Sequence, residues 1–197
     1  MTGTLSAEIA ATAARLIVEE GLEYGAAKRR AARDLGATGR SAGLPGNDEV
    51  EDEVRAYISL FHAESQPVEL TALRRIAAIW MARLAAFRPY LTGAVWRGTA
   101  TRLSDIHIEL YCDDSKAAEL ALIDQRVDYE VSSSENARGR RVDVLNLFVP
   151  GPEPSLRVRI ALTVLDYDDL RGALRGDARG QPPRGDLAAL TALLPAP

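Results

Sequence analysis

The sequence predicts an α+β fold, a helical first half followed by a small mixed sheet with short helices of its own. Apolar residues recur at helical spacing as far as about Arg88. Beyond Arg88 the period changes, and Ile106, Ile108 and Leu110 alternate with Asp105, His107 and Glu109 as in a half-exposed strand. The chain has 197 residues, 47% hydrophobic and 26% charged, which suits a folded globular protein. The expected organisation is a helical segment over residues 1–88 packed on an α/β domain over 89–197.

In the first half, Leu5, Ile9, Ala13, Leu16 and Ile17 mark a helix that ends at Glu19-Glu20-Gly21. A second helix is expected from about Tyr24 to Leu35, stopped by Gly36. The stretch from Gly36 to Gly46 holds four glycines and a proline and reads as a loop. A third helix starts near Asn47 or Asp48, where Asp48, Glu49, Glu51 and Asp52 favour the positive end of its dipole. Its buried stripe is Val50, Val54, Tyr57, Ile58 and Phe61. Pro67 suits the first turn of a fourth helix, carried by Leu70, Leu73, Ala77, Trp80, Leu84 and Phe87 and ended by Pro89.

In the second half, Asp114-Ser115 caps a helix containing Ala118, Leu120, Leu122 and Ile123. Further strands are expected over Val127–Val131, Val142–Val149 and Leu156–Leu165, with Ser132–Arg140 as the loop between the first two. Asp166–Leu174 reads as a short helix, Arg175–Gly185 as a loop, and Leu187–Leu194 as a last helix.

Composition bounds the setting. No apolar run reaches the roughly 18 residues of a membrane span, Met1–Ser6 lacks the features of a secretory signal, and Cys112 is the only cysteine. Together these favour the cytoplasm and no membrane partner. A net charge of −4 gives no global pull towards nucleic acid, which is not an expected partner.

The informative segment runs Gly93-Ala94-Val95-Trp96-Arg97-Gly98 and then, after a short gap, Ser104-Asp105-Ile106-His107-Ile108-Glu109-Leu110. It resembles the active-site signature of the nucleotidyltransferase superfamily in its minimal form, where a Gly-Ser turn opens a short helix and a Ser-Asp-x-Asp strand follows. Gly93 and Gly98 match the two glycines, Arg97 a basic residue before the second, and Ser104 and Asp105 the start of the metal-binding strand. The spacing from Gly93 to Asp105 is the family's. The motif covers under a tenth of the chain, and the order of elements matches over about residues 70–165. The resemblance implies a nucleotidyltransferase-like domain, Mg²⁺ or Mn²⁺, and a nucleoside triphosphate as substrate. It also implies an acceptor, small molecule or protein, that the sequence does not identify.

The chemistry accounts for the spacing. Nucleotidyl transfer uses divalent metal to neutralise triphosphate charge and activate the attacking hydroxyl. Carboxylates two apart on a strand share a face and can share such ions. Glycine lets backbone N–H groups approach phosphate oxygens. The candidate nucleotide-binding positions are therefore Gly93, Ala94, Arg97, Gly98 and Ser104. The candidate metal positions are Asp105, His107 and Glu109, and the candidate catalytic carboxylates are Asp105, Glu109 and Asp143. For the third carboxylate, from a neighbouring strand, Asp143 comes first and Asp128 or Glu130 second.

Two residues depart from the pattern. Ala94 stands where the family has Ser, and His107 where it has the second carboxylate. Imidazole is a poor ligand for Mg²⁺, which prefers oxygen. Glu109 is one step further along the same face. Asp105, His107 and Glu109 cannot all hold one Mn²⁺ or Zn²⁺ ion, because the backbones of the outer two stand about 13 Å apart on a straight strand. Three functions stay open: a metal-dependent nucleotidyltransferase, a catalytically degenerate binding or regulatory module of that fold, and an interaction protein whose strand simply has a wet face.

Elsewhere the plain readings are structural. His107 suits a hydrogen-bonded structural role. His62 has no partner by spacing and reads as a surface residue. Trp80 and Trp96 read as core or interface aromatics, and Lys28-Arg29-Arg30 with Arg33 as a solvated helix face. Arg171, Arg175, Arg179 and Arg184 lie among Asp168, Asp169, Asp177 and Asp186, where pairing with one another is expected.

Overall fold

In a computed structural model, described over residues 2–37, 43–136, 138–153, 155–170, 174, 176 and 180–195, the fold is α+β. The chain forms two compact units. Residues 1–68 with 99–103 make one, and residues 69–98 with 104–197 make the other.

The first unit holds α1 (Thr2–Glu20), α2 (Tyr24–Asp34) and α3 (Asn47–Phe61). These helices stand where the apolar periodicity puts them. Ile9, Ala13, Leu16 and Ile17 of α1 share a core with Ala27 and Ala31 of α2 and with Val50, Val54 and Ile58 of α3. The small residues of α2 let it lie close to its neighbours. At the start of α3 the Glu49 side chain accepts from the Gly46 N–H at 2.7 Å, satisfying one of the donors a helix start leaves open. Lys28 Nζ donates to Asn47 Oδ1 at 2.7 Å and Arg30 pairs with Glu20, so the basic face of α2 is a solvated face with local partners. His62 is not alone: its Nε2 lies 2.9 Å from Glu19 Oε1, which also accepts from the Tyr57 hydroxyl. That contact joins residues 43 apart and is invisible to local spacing.

The second unit begins with α4 (Gln66–Arg83), of which Glu69 onward belongs to this unit, and a 3₁₀ turn (Ala85–Phe87). No strand lies within residues 47–87. The sheet follows: β1 (Tyr90–Thr92), β2 (Ile106–Tyr111), β3 (Glu130–Glu135), β4 (Arg141–Pro150) and β5 (Arg157–Leu165), with α5 (Gly93–Arg97) after β1 and α6 (Ser115–Asp124) after β2. Helix α7 (Leu187–Ala192) closes the described chain. The strand order is β1-β2-β5-β4-β3. Strands β2 and β5 are parallel and every other pair is antiparallel, so the sheet is mixed. Asp114 caps α6 by accepting from Lys116 N, as its sequence position suggests.

Register sorts the two faces. Ile106, Ile108 and Leu110 of β2, Ile160 and Leu162 of β5 and Leu145 and Leu147 of β4 lie on one buried face. The other face carries Asp105, His107 and Glu109, then Arg157 and Arg159 of β5, Asn146 of β4 and Ser132 of β3. β3 begins at Glu130, not Val127, and takes in Ser132–Glu135, which reads as loop in the sequence. All six of its residues are exposed, so no apolar alternation marks it. Within the segment expected as a helix over 166–174, a 3₁₀ turn covers Tyr167–Asp169. Arg171, Arg175, Arg179 and Asp177 lie outside the described residues. Among the described residues Arg184 pairs with Glu109, and Arg138 and Arg140 pair with Asp169, across the chain from where the sequence suggests.

Candidate functional site

The site grows from the β1–α5 turn. Gly93 opens α5 at φ +68°, in the left-handed region. A Cβ there would stand 3.3 Å from His107 Cδ2. Gly98 closes α5 at φ +82°, a helix end that glycine suits. Across it, Arg74 of α4 donates from Nε to the Val95 carbonyl at 3.1 Å and from Nη2 to the Trp96 carbonyl at 3.2 Å. These bonds satisfy carbonyls that the end of a short helix leaves open. Ala94 and Ser104 are half-buried and Arg97 is exposed.

Strand β2 then presents its polar face. The ligand atoms of Asp105 and His107 lie within 4.8 Å of each other. Asp105 is not a free carboxylate: Arg159 Nη1 donates to its Oδ2 at 2.5 Å. Arg159 is held from its other side by Asn146 Oδ1, at 3.0 Å from Nε and 2.8 Å from Nη2. Asn146 Nδ2 donates in turn to Glu130 O, Ser132 Oγ and Val144 O. One polar network therefore crosses β2, β5, β4 and β3.

Glu109 is committed elsewhere. It pairs with Arg184 and accepts from the Tyr111 hydroxyl at 2.6 Å, and Arg184 Nη1 donates to that hydroxyl at 2.7 Å. Burial pushes the Tyr111 hydroxyl well above the ordinary phenol range, and the Glu109 hydrogen bond pushes it further. Arg184 is delivered by the segment that lies along β1. Leu91 and Gly185 exchange backbone hydrogen bonds at 2.8 and 3.0 Å, and Trp96 Nε1 donates to Pro182 O at 2.7 Å. Trp96 is thus an aromatic of this internal contact, and Trp80 is core.

Asp143 does not join Asp105. It pairs across from Ser133, one position past Val144, which is level with Thr163 and Glu109. That puts it five positions further along the sheet than Asp105, about 16 Å at the usual strand rise, and on the opposite face. There it lines a cavity of about 270 Å³ with Cys112, Asp113, Arg141 and Asp166. Burial, and then the nearby aspartates, push the Cys112 thiol up, away from thiolate chemistry. Glu130, an alternative to Asp143, enters the network through its backbone carbonyl.

Asp105 and His107 bring two ligand atoms close enough to hold one ion, but the paired carboxylates of the two-metal site that the resemblance implies are not assembled. Two-metal chemistry needs convergent, available carboxylates. Asp105 meets a guanidinium, Glu109 meets another, Asp143 is on the other face, and His107 offers nitrogen. Sequence reading missed Arg159, Asn146 and Tyr111. Arg159 had a visible signal, a charge alternating with the apolar Val158 and Ile160, but its partner is set by a parallel register over a long separation.

No family model matches this chain, and no curated protein matches it. Among solved structures it is similar to Cid1, determined in complex with the UTP analogue UMPNPP. The likeness has 12% sequence identity and a TM-score of 0.35, over 58% of this chain and 36% of that one. The match thus spans little more than a third of the Cid1 chain. Identity and superposition at this level leave the functional reading to the site itself. Among the described residues no helix is long and apolar enough to cross a membrane.

Proposed function

We propose that this protein is a nucleotidyltransferase-like binding or regulatory module that takes a nucleotide at the β1–α5 turn and the polar face of β2, without ordinary two-metal transfer. One observation supports it above the others: each carboxylate on that face is paired with an arginine, Asp105 with Arg159 and Glu109 with Arg184. Gly93 borders the face beside His107 and keeps the start of α5 clear of a side chain there, as phosphate contact by backbone N–H groups requires, while Gly98 ends the short helix against Arg74 and Leu70. Its partners in this reading are a nucleotide and a protein whose activity the bound state adjusts.

A second reading is metal-dependent transfer of a nucleotidyl group from a nucleoside triphosphate to a small-molecule or protein acceptor. It is favoured by the closeness of the Asp105 and His107 ligand atoms. It requires a divalent cation that accepts nitrogen, Mn²⁺ rather than Mg²⁺, to displace Arg159 from Asp105.

Calorimetric titration with ATP of the unmodified protein and of Gly98→Val tests the first reading. Valine at φ +82° disturbs the turn, so ATP binding is expected to weaken by about tenfold or more. Equal affinities, or no binding by the unmodified protein, would count against it. Release of pyrophosphate from any nucleoside triphosphate, lost in Asp105→Asn, would favour the second.

A further inference from the structure

The nucleotide-binding reading leaves open what balances the phosphate charge, and the sheet supplies a group for it. Strand β5 runs parallel to β2, and the pairing of Ile106 with Ile160 sets Arg159 beside Asp105. A guanidinium therefore stands next to the carboxylate, where a metal site would need a second one. We infer that Arg159 takes the place of the divalent cation, and that this face receives the phosphate of a nucleotide free of metal.

The guanidinium is fixed before any ligand arrives. Asn146 is 5% exposed and its Nδ2 is occupied by three oxygen acceptors, so its Oδ1 must face Arg159. Asn146 accepts from Nε and Nη2, and Asp105 accepts from Nη1. Arginine carries two N–H bonds on each terminal nitrogen, so Nη1 and Nη2 each keep one more. The side chain is 33% exposed, enough to be reached. A planar, permanently charged group with donors left on both terminal nitrogens suits phosphate oxygens. Arg157, exposed on the same face two residues earlier, adds a second positive group. Arg159 and Asp105 together are neutral, so the pair does not repel an anion, and Arg159 meets it through its remaining N–H donors while Arg157 adds the positive charge.

The test is calorimetric titration of the full chain with ATP, once in EDTA and once in excess MgCl₂, using the unmodified protein, Arg159→Lys and Arg159→Ala, with thermal melts to verify folding. The unmodified protein is expected to bind equally in the two buffers, within about twofold. Arg159→Ala is expected to lose at least about tenfold in both, and Arg159→Lys to keep part of that loss back through its charge. If Arg159→Ala does not fold, Arg159→Lys against Arg159→Gln gives the same comparison of charge. Binding that appears only with Mg²⁺, or a folded Arg159→Ala that binds as well as the unmodified protein, would overturn the inference and leave the nucleotide-binding reading standing. No binding of ATP in either buffer would overturn both.

Discussion

Arg159 and Asp105 meet at 2.5 Å although 54 residues separate them in the chain. The contact exists because β2 and β5 pair in parallel, and it decides how the acidic face is read. Neither side chain is fully buried, at 33% and 27% exposure, so the pair adds modestly to stability. Its larger effect is on chemistry. A carboxylate committed to a guanidinium is not an open ligand, and a guanidinium held by carboxylate and amide is preorganised for an anion.

The two glycines of the turn should respond differently to alanine. Both sit in the left-handed region, which costs an L-residue about 1–2 kcal/mol. At Gly93 the new Cβ also crowds His107 at 3.3 Å, whereas at Gly98 its nearest neighbour is Arg74 Nη2 at 3.6 Å, an ordinary van der Waals contact. Gly93→Ala is expected to lower the denaturant midpoint more than Gly98→Ala does. Equal shifts would mean that His107 yields at no cost.

Gly185 and Trp96 should be coupled. A Cβ on Gly185 would fall 2.1 Å from Trp96 Cη2, so Gly185→Ala displaces the indole or lifts the segment from β1. A double-mutant cycle with Trp96→Ala, measured by chemical denaturation, is expected to give a coupling of about 1–3 kcal/mol, because the clash disappears with the ring. Additive effects would show that the segment is held without Trp96. Release of the segment also withdraws Arg184 from Glu109.

Tyr111 should set part of the alkaline limit. Its ordinary value is 10.0, and the folded protein raises it. The folded state therefore holds the phenolic proton more tightly than the unfolded one. That contribution is fully present below pH 10 and is lost as pH rises towards the folded value. Between pH 9 and 11 the melting temperature of the unmodified protein is expected to fall more steeply than that of Tyr111→Phe. Parallel curves would remove Tyr111 from the alkaline transition.

What the sequence disclosed follows the physics of its signals. Helices α1, α3 and α4 carry long apolar stripes, and β2 alternates cleanly, so both were legible. β1 has three residues, too few for a period, and β3 is polar throughout. In β4 the residues from Val144 to Leu147 are all buried, so parity could not tell which face Asp143 takes. The acidic positions of β2 were legible as a set. Their neutralisation was not, because Arg159 and Arg184 arrive from strand register and from a segment lying along β1. Asn146, a lone amide in an apolar run, was with Arg159 the local hint of a network crossing the sheet.

If arginine, not metal, balances Asp105, the carboxylate is closed to cations until Arg159 is removed. Titration of Mn²⁺ followed by electron paramagnetic resonance tests it most directly, comparing the unmodified chain with Arg159→Ala. No bound Mn²⁺ is expected at micromolar concentration in the unmodified protein. A bound signal is expected in Arg159→Ala, where Asp105 is released beside His107 and the pair can offer oxygen and nitrogen to one ion. A bound signal in the unmodified protein that disappears in Asp105→Asn would contradict it.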